Sequence, residues 1–292
     1  MTDERNPEGE GTLYVVSTPI GNMGDFSFRA VEVLKSVNHV LAEDTRHTRN
    51  LLDRYEIKTP AAPYHEHNEA KTTPGLVARL QRGESLAIVS DAGTPLLSDP
   101  GARLVRAAID AGIDVVAIPG ASALLSALVV SGLDADRFTF FGFLTRTGSE
   151  RRAALDEIET LRHTAVLYEA PNRLAATLGE LERRGSGARH AVVAREMTKQ
   201  YEEIKRGTVS ELRAYYEDTP PRGEVVLVIA AAIVQEPTDD VVQTRVNALR
   251  AAGMSARDAA TMTAAELGVS RRVAYRLAQQ SSKAESKAGE DE

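Results

Sequence analysis

The sequence predicts an α/β fold with two sheet-containing domains, followed by a small helical domain. Three observations carry this prediction. Short apolar runs alternate with helix-period segments from Leu13 onward, which is typical of βα units around a largely parallel sheet. The pattern changes after Gly132, where two strand candidates lie only a few residues apart. After Pro237, three short helical stretches follow one another with no strand candidate between them.

The first domain, residues 12–133, is predicted to contain a mainly parallel sheet. Its strand candidates are rich in Val, Ile and Leu, as expected of strands that are covered on both faces. They are residues 13–17, 39–42, 86–90 and 115–118. Amphipathic periodicity predicts helices at residues 26–37, 45–55, 76–81, 102–111 and 122–130.

The second domain, residues 134–233, is predicted to have a mixed sheet. Its strand candidates are residues 138–143, 165–169, 191–195, 201–206 and 224–230. The short gap between 191–195 and 201–206 predicts a hairpin, so at least one pair of strands should be antiparallel.

A basic helical domain is predicted at residues 240–280, with breaks at Gly253 and at residues 268–270 that give it a helix-turn-helix-like spacing. Between residues 241 and 280 there are six Arg against Asp258 and Glu266. A charge run of this kind favours phosphate contact, and a solvated helix face is the alternative interpretation.

Composition excludes several classes of protein. The chain has no Cys, which excludes disulfide frameworks and thiol chemistry, and no apolar run approaches the roughly 20 residues that span a bilayer. The first residues contain no signal-peptide-like apolar stretch, so we expect a cytoplasmic protein without membrane contact. The formal charge of −7 is concentrated at residues 1–11 and 281–292, which we predict to be disordered tails, and it therefore does not exclude a nucleic-acid partner.

Four turns rich in small and polar residues follow predicted strands of the first domain, at residues 17–22, 43–46, 90–95 and 119–122. Each alone is ordinary turn chemistry. Together at the carboxyl edge of one sheet they indicate a ligand site contacted by the main chain. The dinucleotide and triphosphate glycine motifs are missing, which argues against NAD and ATP. His65 and His67 lack a third ligand, so no metal site is predicted.

The ordered motifs LYVVSTPIGNMGDFSFRAVEVL, AEDTRHTRNLL, HEHNE, IVSDAGTPLLSDPG, PGASA, FFGFL, YEAPNR, ARE-TK-YEE-RG and GEVVLVI carry a resemblance to a known family. Over residues 12–233 the chain resembles the tetrapyrrole methylase superfamily, and within it the enzymes that methylate small-subunit ribosomal RNA. Residues 241–280 resemble, with less specific motifs, the helical C-terminal domain of those enzymes.

The resemblance implies a two-domain tetrapyrrole methylase-like fold, a homodimer, and S-adenosylmethionine bound between the two α/β domains. It also implies methylation of the 2'-hydroxyl of a cytidine in the decoding region of 16S rRNA, either naked or in the 30S ribosomal subunit. The implied cofactor-binding residues are Pro19, Gly21, Asn22, Ser90, Asp91, Ala92, Gly93, Thr94, Pro95, Pro119, Gly120, Ala121, Ser122, Phe141, Gly142, Phe143, Leu144, Tyr168, Glu169, Ala170, Ala194, Arg195, Glu196, Gly223, Glu224 and Val225.

Methyl transfer to a ribose hydroxyl benefits from a general base. The candidates are Glu43, Asp44, His65 and Glu66, with helix capping as the alternative role of the Glu43-Asp44 pair. Arginine matches phosphate geometry, and the candidate RNA contacts are Arg46, Arg49, Arg146, Arg151, Arg152, Arg271, Arg272 and Arg276.

Two rival functions remain open at this stage. A methylase of a small tetrapyrrole would share the fold and the cofactor but would not need a basic helical appendage. A non-catalytic RNA-binding protein would not need the intact turns at residues 91–95 and 119–121.

Overall fold

A computed structural model describes residues 11–233 and 237–288, which form one unit ending at Ala232 and a second unit beginning at Ile233. The first unit contains two five-stranded sheets. The predicted disordered tails, residues 1–11 and 281–292, fall largely outside these ranges, and a helix continues through residues 281–288. Ala, Lys and Glu, which are good helix formers, make up five of the eight residues of this segment.

The first sheet is entirely parallel and has the strand order β3-β2-β4-β1-β5. Its strands are β1 (Leu13–Val16), β2 (His39–Ala42), β3 (Ala61–Pro63), β4 (Leu86–Val89) and β5 (Val115–Ile118). The sequence pattern does not predict β3, because Ala-Ala-Pro lacks branched apolar side chains. This strand lies at the sheet edge, where a proline is tolerated.

Five helices connect and cover this sheet. They are α1 (Phe28–Ser36), α2 (Thr45–Arg54), α3 (Glu69–Gln81), α4 (Ala102–Asp110) and α5 (Ala123–Ser131). The α3 helix begins seven residues before the predicted segment and contains Pro74, which removes one backbone donor without ending the helix.

The second sheet is mixed, as predicted, with the order β6-β7-β10-β8-β9. Its strands are β6 (Phe138–Phe143), β7 (Thr164–Glu169), β8 (His190–Arg195), β9 (Glu203–Thr208) and β10 (Val225–Ile229). Only the β6 and β7 pair is parallel. The predicted hairpin is confirmed as β8 and β9, paired from His190 with Thr208 to Arg195 with Glu203.

Alternating residues of the second sheet pack on opposite sides. Leu227 contributes to a core formed with α6 (Ser149–Thr160), α7 (Leu174–Leu181) and α8 (Val209–Asp218), whereas its neighbours Val226 and Val228 pack with α5. The α5 helix therefore links the two halves of the first unit through apolar packing.

The second unit is a three-helix cluster of α9 (Asp239–Ala251), α10 (Ala256–Leu267) and α11 (Arg271–Ala288). Its small core joins Val242 and Val246 of α9 to Ala260 of α10 and Ala274 of α11. The breaks between helices fall at the predicted positions. Across residues 11–233 and 237–288, no helix combines the length and apolar character needed to cross a membrane.

Candidate active site

The loops at the carboxyl edge of the first sheet converge beside β1 and β4. These two strands are neighbours in the sheet. From β1 the chain continues to β2 on one side of the pair, and from β4 it continues to β5 on the other side. Such a reversal of strand order is a usual position for a ligand crevice in open α/β sheets. The local topology therefore places the loops after β1 and β4 at a candidate site.

Hydrogen bonds join the four predicted turns. The Thr18 N–H donates to the Gly93 carbonyl at 2.8 Å, and the Gly93 N–H donates back at 3.1 Å. The Thr94 hydroxyl donates to the Ala121 carbonyl at 3.2 Å, and the Asp44 N–H donates to the Asp91 carboxylate at 3.2 Å. The four turns thus form one connected edge.

Two glycines permit this close approach. Gly93 has a φ of +85°, and a Cβ there would lie 3.3 Å from the Ile20 side chain. A Cβ on Gly120 would lie 2.9 Å from the Cβ of Ser17, which no real side chain tolerates without a shift. Glycine at these positions lets the loops pack backbone to backbone.

A cleft of about 410 Å³ opens at this edge and is also lined by residues of the second sheet. Of the residues implied for cofactor binding, those that line it are Asp91, Ala92, Gly93, Thr94, Phe143, Tyr168, Glu169, Ala170, Gly223, Glu224 and Val225. Further lining residues include Ile20, Glu43, Leu97, Ser98 and Asp99. The cleft is therefore built by both halves of the first unit.

Aromatic rings form one wall of the cleft. Tyr168 at the end of β7 contacts Phe140 and Phe143 of β6, with ring centroids 4.9 and 5.4 Å apart. The pairing of β6 with β7 is irregular between Phe140 and Phe143, and such a bulge re-aims the side chains near it. Phe143 remains largely exposed beside the cleft, so this wall offers ring surface to a ligand.

Carboxylates dominate the electrostatics of the cleft. Burial, followed by the nearby charges of Glu43 and Asp91, raises the pKa of Asp99 to about 6. Burial followed by the charge of Asp91 also raises the pKa of Glu43. The lining residues in the described part of the chain include no Lys, Arg or His. The cleft is consequently suited to a cationic ligand and poorly suited to a phosphate-bearing one.

Comparisons with known proteins place this fold and site in a family. The profile described as tetrapyrrole (corrin/porphyrin) methylases matches residues 12–213. The chain belongs to the tetrapyrrole methylase family.

Relatives in that family include proteins named ribosomal RNA small subunit methyltransferase I. The one from Synechocystis sp. is 44% identical over 91% of this chain and 97% of its own length. The one from Mesorhizobium japonicum is 46% identical over 87% of this chain and 88% of its own length. A similar solved structure is uroporphyrin-III C-methyltransferase from Thermus thermophilus in complex with S-adenosylhomocysteine, with a TM-score of 0.54, 17% identity and coverage of 75% and 97% of the two chains.

Several implied cofactor residues of this methylase lie away from the cleft. Pro19, Gly21 and Ser90 line a neighbouring pocket. Asn22 caps a short 3-10 turn, and Ser122 caps α5. The residues outside the lining of the cleft are Pro19, Gly21, Asn22, Ser90, Pro95, Pro119, Gly120, Ala121, Ser122, Phe141, Gly142, Leu144, Ala194, Arg195 and Glu196.

For three of these the side chain is engaged elsewhere, so the predicted cofactor contact falls to the main chain. Leu144 and Ala194 are buried in apolar cores. Arg195 is paired with Glu203 at 3.0 Å on the neighbouring strand, so its guanidinium serves the sheet. Sequence motifs mark the strand ends correctly but do not tell which side chain of each motif faces the cleft.

The candidate general bases separate into distinct environments. Asp44 caps α2, and the Arg46 side chain donates to its carboxylate, which lowers the pKa of Asp44 to about 2. A carboxylate with so low a pKa is a weak proton acceptor, which favours the capping role of Asp44 over its role as a base. Glu43 lines the cleft, and Glu66 lines an adjoining depression that also includes Glu43 and Asp99. His65 lines none of these cavities.

The candidate RNA-binding arginines of the first unit divide into residues held by an acidic partner and residues that are exposed. Arg151 is 6% exposed and donates to Glu180 at 3.0 Å and to Thr177 at 2.9 Å, which favours a structural role over the predicted RNA contact. Arg49 pairs with Asp53 at 3.1 Å, and Arg46 pairs with Asp44 as described above. Arg146 and Arg152 are exposed.

Asp99 is the main site residue that sequence reasoning missed. It ends the segment Leu96–Asp99, immediately after the turn predicted as the site. The repeated Ser-Asp at residues 90–91 and 98–99 was the available signal. Leu96 and Ser98 have positive φ angles of 74° and 68°, and these fold the segment back towards the cleft, which Leu97, Ser98 and Asp99 line.

Proposed function

We propose that this methylase transfers a methyl group from S-adenosylmethionine to the 2'-hydroxyl of a cytidine in the decoding region of 16S rRNA. The observation that carries the proposal is a cleft lined by carboxylates and aromatic rings, without a basic side chain among its described lining residues, in a chain whose relatives are named for ribosomal RNA. The lining of the cleft supports S-adenosylmethionine as the methyl donor, and the names of the relatives support ribosomal RNA as the methyl acceptor.

The residues of the cleft fit S-adenosylmethionine chemically. The cofactor has a sulfonium and an ammonium group against one carboxylate, so it is a net cation. Asp91, Asp99 and Glu43 supply matching negative charge. Tyr168 and Phe143 offer ring faces that attract cations and pack against a flat base. The glycine at position 93 keeps the main chain accessible at the edge of the cleft.

The protein's chemical task is mainly positioning and deprotonation. When bound, the cofactor supplies a methyl carbon on a positively charged sulfur; the ribose oxygen bonds to that carbon as the carbon–sulfur bond breaks, and S-adenosylhomocysteine leaves. The hydroxyl proton must go to an acceptor. Asp99 has a pKa of about 6 and Glu43 a raised pKa, which brings both closer to neutral pH than an ordinary carboxylate. These two residues are our candidates for the base.

The second unit supplies a candidate RNA-binding surface. Arg257, Arg271 and Arg272 line one shallow depression together with Tyr275, which is 43% exposed. Guanidinium groups beside an exposed ring suit the phosphates and bases of single-stranded RNA. Arg276, also predicted to bind RNA, instead pairs with Asp239 at 3.0 Å.

We also propose that the chain forms a homodimer. On α5, Leu125 and Val129 are 50% and 73% exposed although the opposite side of the helix is buried against the second sheet. These residues lie one helical turn apart and form an apolar face that a second copy could cover.

The decisive experiment is methylation with isotopically labelled S-adenosylmethionine, using 30S subunits and naked 16S rRNA as separate acceptors. We expect label in 16S rRNA and, by mass spectrometry, one added methyl group on the ribose of a decoding-region cytidine. A Glu43→Gln and Asp99→Asn double variant should bind the RNA but transfer little label. A small tetrapyrrole serves as the third acceptor. Label in the tetrapyrrole but in neither RNA acceptor would favour the rival methylase, and no label in any of the three would favour a non-catalytic RNA-binding protein.

A further inference from the structure

A second pocket of about 270 Å³ lies directly beside the cleft. The two cavities have Ile20, Asp91, Ala92 and Glu224 in common, so they meet at these residues. A molecule held in the second pocket could therefore present an atom to a molecule held in the cleft. The pair of cavities is suited to a reaction between two different ligands.

The second pocket differs from the cleft in its polar groups. His47 and Asn50 of α2 line it, as does Lys199 from the turn between β8 and β9. The Lys199 ammonium lies 2.9 Å from Glu196 and 3.1 Å from Glu224. These side chains provide both donors and acceptors, whereas the described lining of the cleft is acidic. We expect a ligand with a neutral hydrogen-bonding edge rather than a second cation.

Thr48 points independently to a ligand in this pocket. The residue is 2% exposed and lines the pocket, and its hydroxyl has no hydrogen-bond partner among the described residues. Leaving a buried hydroxyl unpaired costs about 1–3 kcal/mol, so native proteins usually pair such groups. The hydroxyl oxygen itself has almost no accessible surface, so a bound molecule supplies the missing partner once the Thr48 side chain turns towards the pocket.

The pocket's size limits that molecule. A volume of about 270 Å³ lies just below the usual range for small-molecule sites and matches one nucleoside rather than a four-ring macrocycle. Apolar side chains of Ile20 and Met23 supply surface for a flat base. Proteins that recognise RNA by sequence commonly splay a single nucleotide out of the strand and bond its edge.

We propose that the second pocket receives the acceptor nucleoside, turned out of the RNA strand, with its base near Thr48 and Asn50 and its ribose at the wall formed by Asp91 and Ala92. This assignment rests on the proposed function. It gives Thr48 and Asn50 a role in acceptor binding and moves Pro19 and Gly21 from cofactor binding to the acceptor side.

The test compares Thr48→Val with Thr263→Val. Thr263 lies on α10 of the second unit, is 0% exposed, and also has a hydroxyl without a partner among the described residues. If both hydroxyls are merely buried, both variants should leave kinetics unchanged. We expect Thr48→Val alone to raise KM for 30S subunits roughly five- to tenfold, the effect of one lost hydrogen bond, with the Kd for S-adenosylmethionine unchanged.

A second variant fills the pocket from an exposed position. Asn50→Phe should reduce kcat/KM for 30S subunits by at least about tenfold, because the ring occupies the space of the base, while calorimetry still detects cofactor binding. Wild-type kinetics in both Thr48→Val and Asn50→Phe would overturn the pocket assignment and leave the proposed function standing. A wild-type protein that methylates no RNA would overturn the proposed function and this assignment together.

Discussion

Thr18 and Gly93 exchange two backbone hydrogen bonds, of 2.8 and 3.1 Å, between the loops that follow β1 and β4. Gly93 lines the cleft and Thr18 lines the second pocket. The two loops are thereby held as one unit between two cavities. A change in backbone conformation at this bridge should disturb both cavities without altering the sheet beneath.

Replacing Gly93 with Ala is the first test of that relationship. The φ of +85° places an L side chain under strain, and the new methyl group would press on Ile20, which lines both cavities. We expect cofactor affinity, measured by calorimetry, to fall about tenfold, equivalent to roughly 1.4 kcal/mol.

Gly112→Ala is the matched control. Gly112 has a φ of +78°, and its added Cβ would meet no atom within 4 Å. Both variants should lose about 1–2 kcal/mol of unfolding free energy in urea because both place alanine at positive φ. Equal losses of cofactor affinity in the two variants would show that general destabilisation, rather than the bridge, controls binding.

Cofactor binding should depend on pH through Asp99. The pKa of Asp99 is raised to about 6 by burial and then by the charges of Glu43 and Asp91, while a hydrogen bond with Ser90 lowers it. On the other side of Asp99, the adjoining depression is also lined by Glu66, Glu69 and Arg103. Protonation removes negative charge, so affinity for the cationic cofactor should weaken as pH falls through about 6. Asp99→Asn should bind weakly at every pH and lose the step near pH 6.

The same group has the opposite effect on stability. A raised pKa means that the folded state favours the proton, so Asp99 contributes stability that is fully present below pH 3.8 and is lost as pH rises through about 6. Asp99→Asn should therefore be more stable than the wild type at pH 8 while binding the cofactor less well. Lower stability of the variant at pH 8 would contradict burial as the cause of the shift.

Arg151 should prove to be structural. Arg151→Ala leaves the partly buried Glu180 without its partner and removes one of the two hydrogen bonds of the Thr177 hydroxyl, which still donates to Glu169. We expect a loss of about 2–3 kcal/mol in unfolding free energy. The neighbouring Arg152 is exposed, so Arg152→Ala should change stability by less than about 0.5 kcal/mol. Weaker RNA binding by folded Arg151→Ala, without loss of stability, would restore the original assignment.

The contrast between Arg151 and Arg152 shows what the sequence cannot supply. Both are arginines on α6, and their environments differ because Arg151 faces Glu180 of α7, 29 positions along the chain. Such a pairing depends on how helices pack, which local patterns do not encode. Asp99 escaped prediction for a similar reason, since its raised pKa comes first from burial, and then from Glu43 on another loop and Asp91 earlier in the same loop.

The fold itself was largely predictable, for physical reasons visible in particular strands. β4 and β10 are buried at every position and read as uninterrupted apolar runs. The β8 and β9 hairpin follows from the short gap between two strand patterns. By contrast, β3 has no branched apolar side chain, and its pairing with β2 is a tertiary contact that local patterns do not show. The helices α6, α7 and α8 likewise pack their apolar side chains in one core with the second sheet, which the sequence pattern alone does not reveal.

The proposed dimer can be tested on the exposed face of α5. Val129→Asp places a charge where we expect a second copy to pack, so it should shift the protein from dimer to monomer in sedimentation-velocity experiments. Ile109→Asp on α4 is the control, because Ile109 is also exposed, at 58%, but belongs to a different helix. A wild-type monomer, or a Val129→Asp dimer, would exclude this surface as the interface.

The arginines of the second unit should differ in their effect on RNA binding according to their ion pairs. Arg245 and Arg276 are already neutralised by Glu266 and Asp239, at 2.6 and 3.0 Å. Across the described residues of this unit, Arg257, Arg271 and Arg272 form no ion pair and converge on one depression. Each phosphate contact adds about 0.7 to the dependence of log K on log salt for single-stranded nucleic acid.

Replacing Arg257, Arg271 and Arg272 together with Ala should therefore lower the salt slope of RNA binding by about 2, measured by filter binding between 50 and 200 mM salt. The double variant Arg245→Ala with Arg276→Ala should keep the wild-type slope, because removing a neutralised arginine releases no additional counterion. Cofactor affinity should be unchanged in both variants, since the described lining residues of the cleft all belong to the first unit. An equal fall in slope for the two variants would mean that total charge, and not the Arg257 depression, binds the RNA.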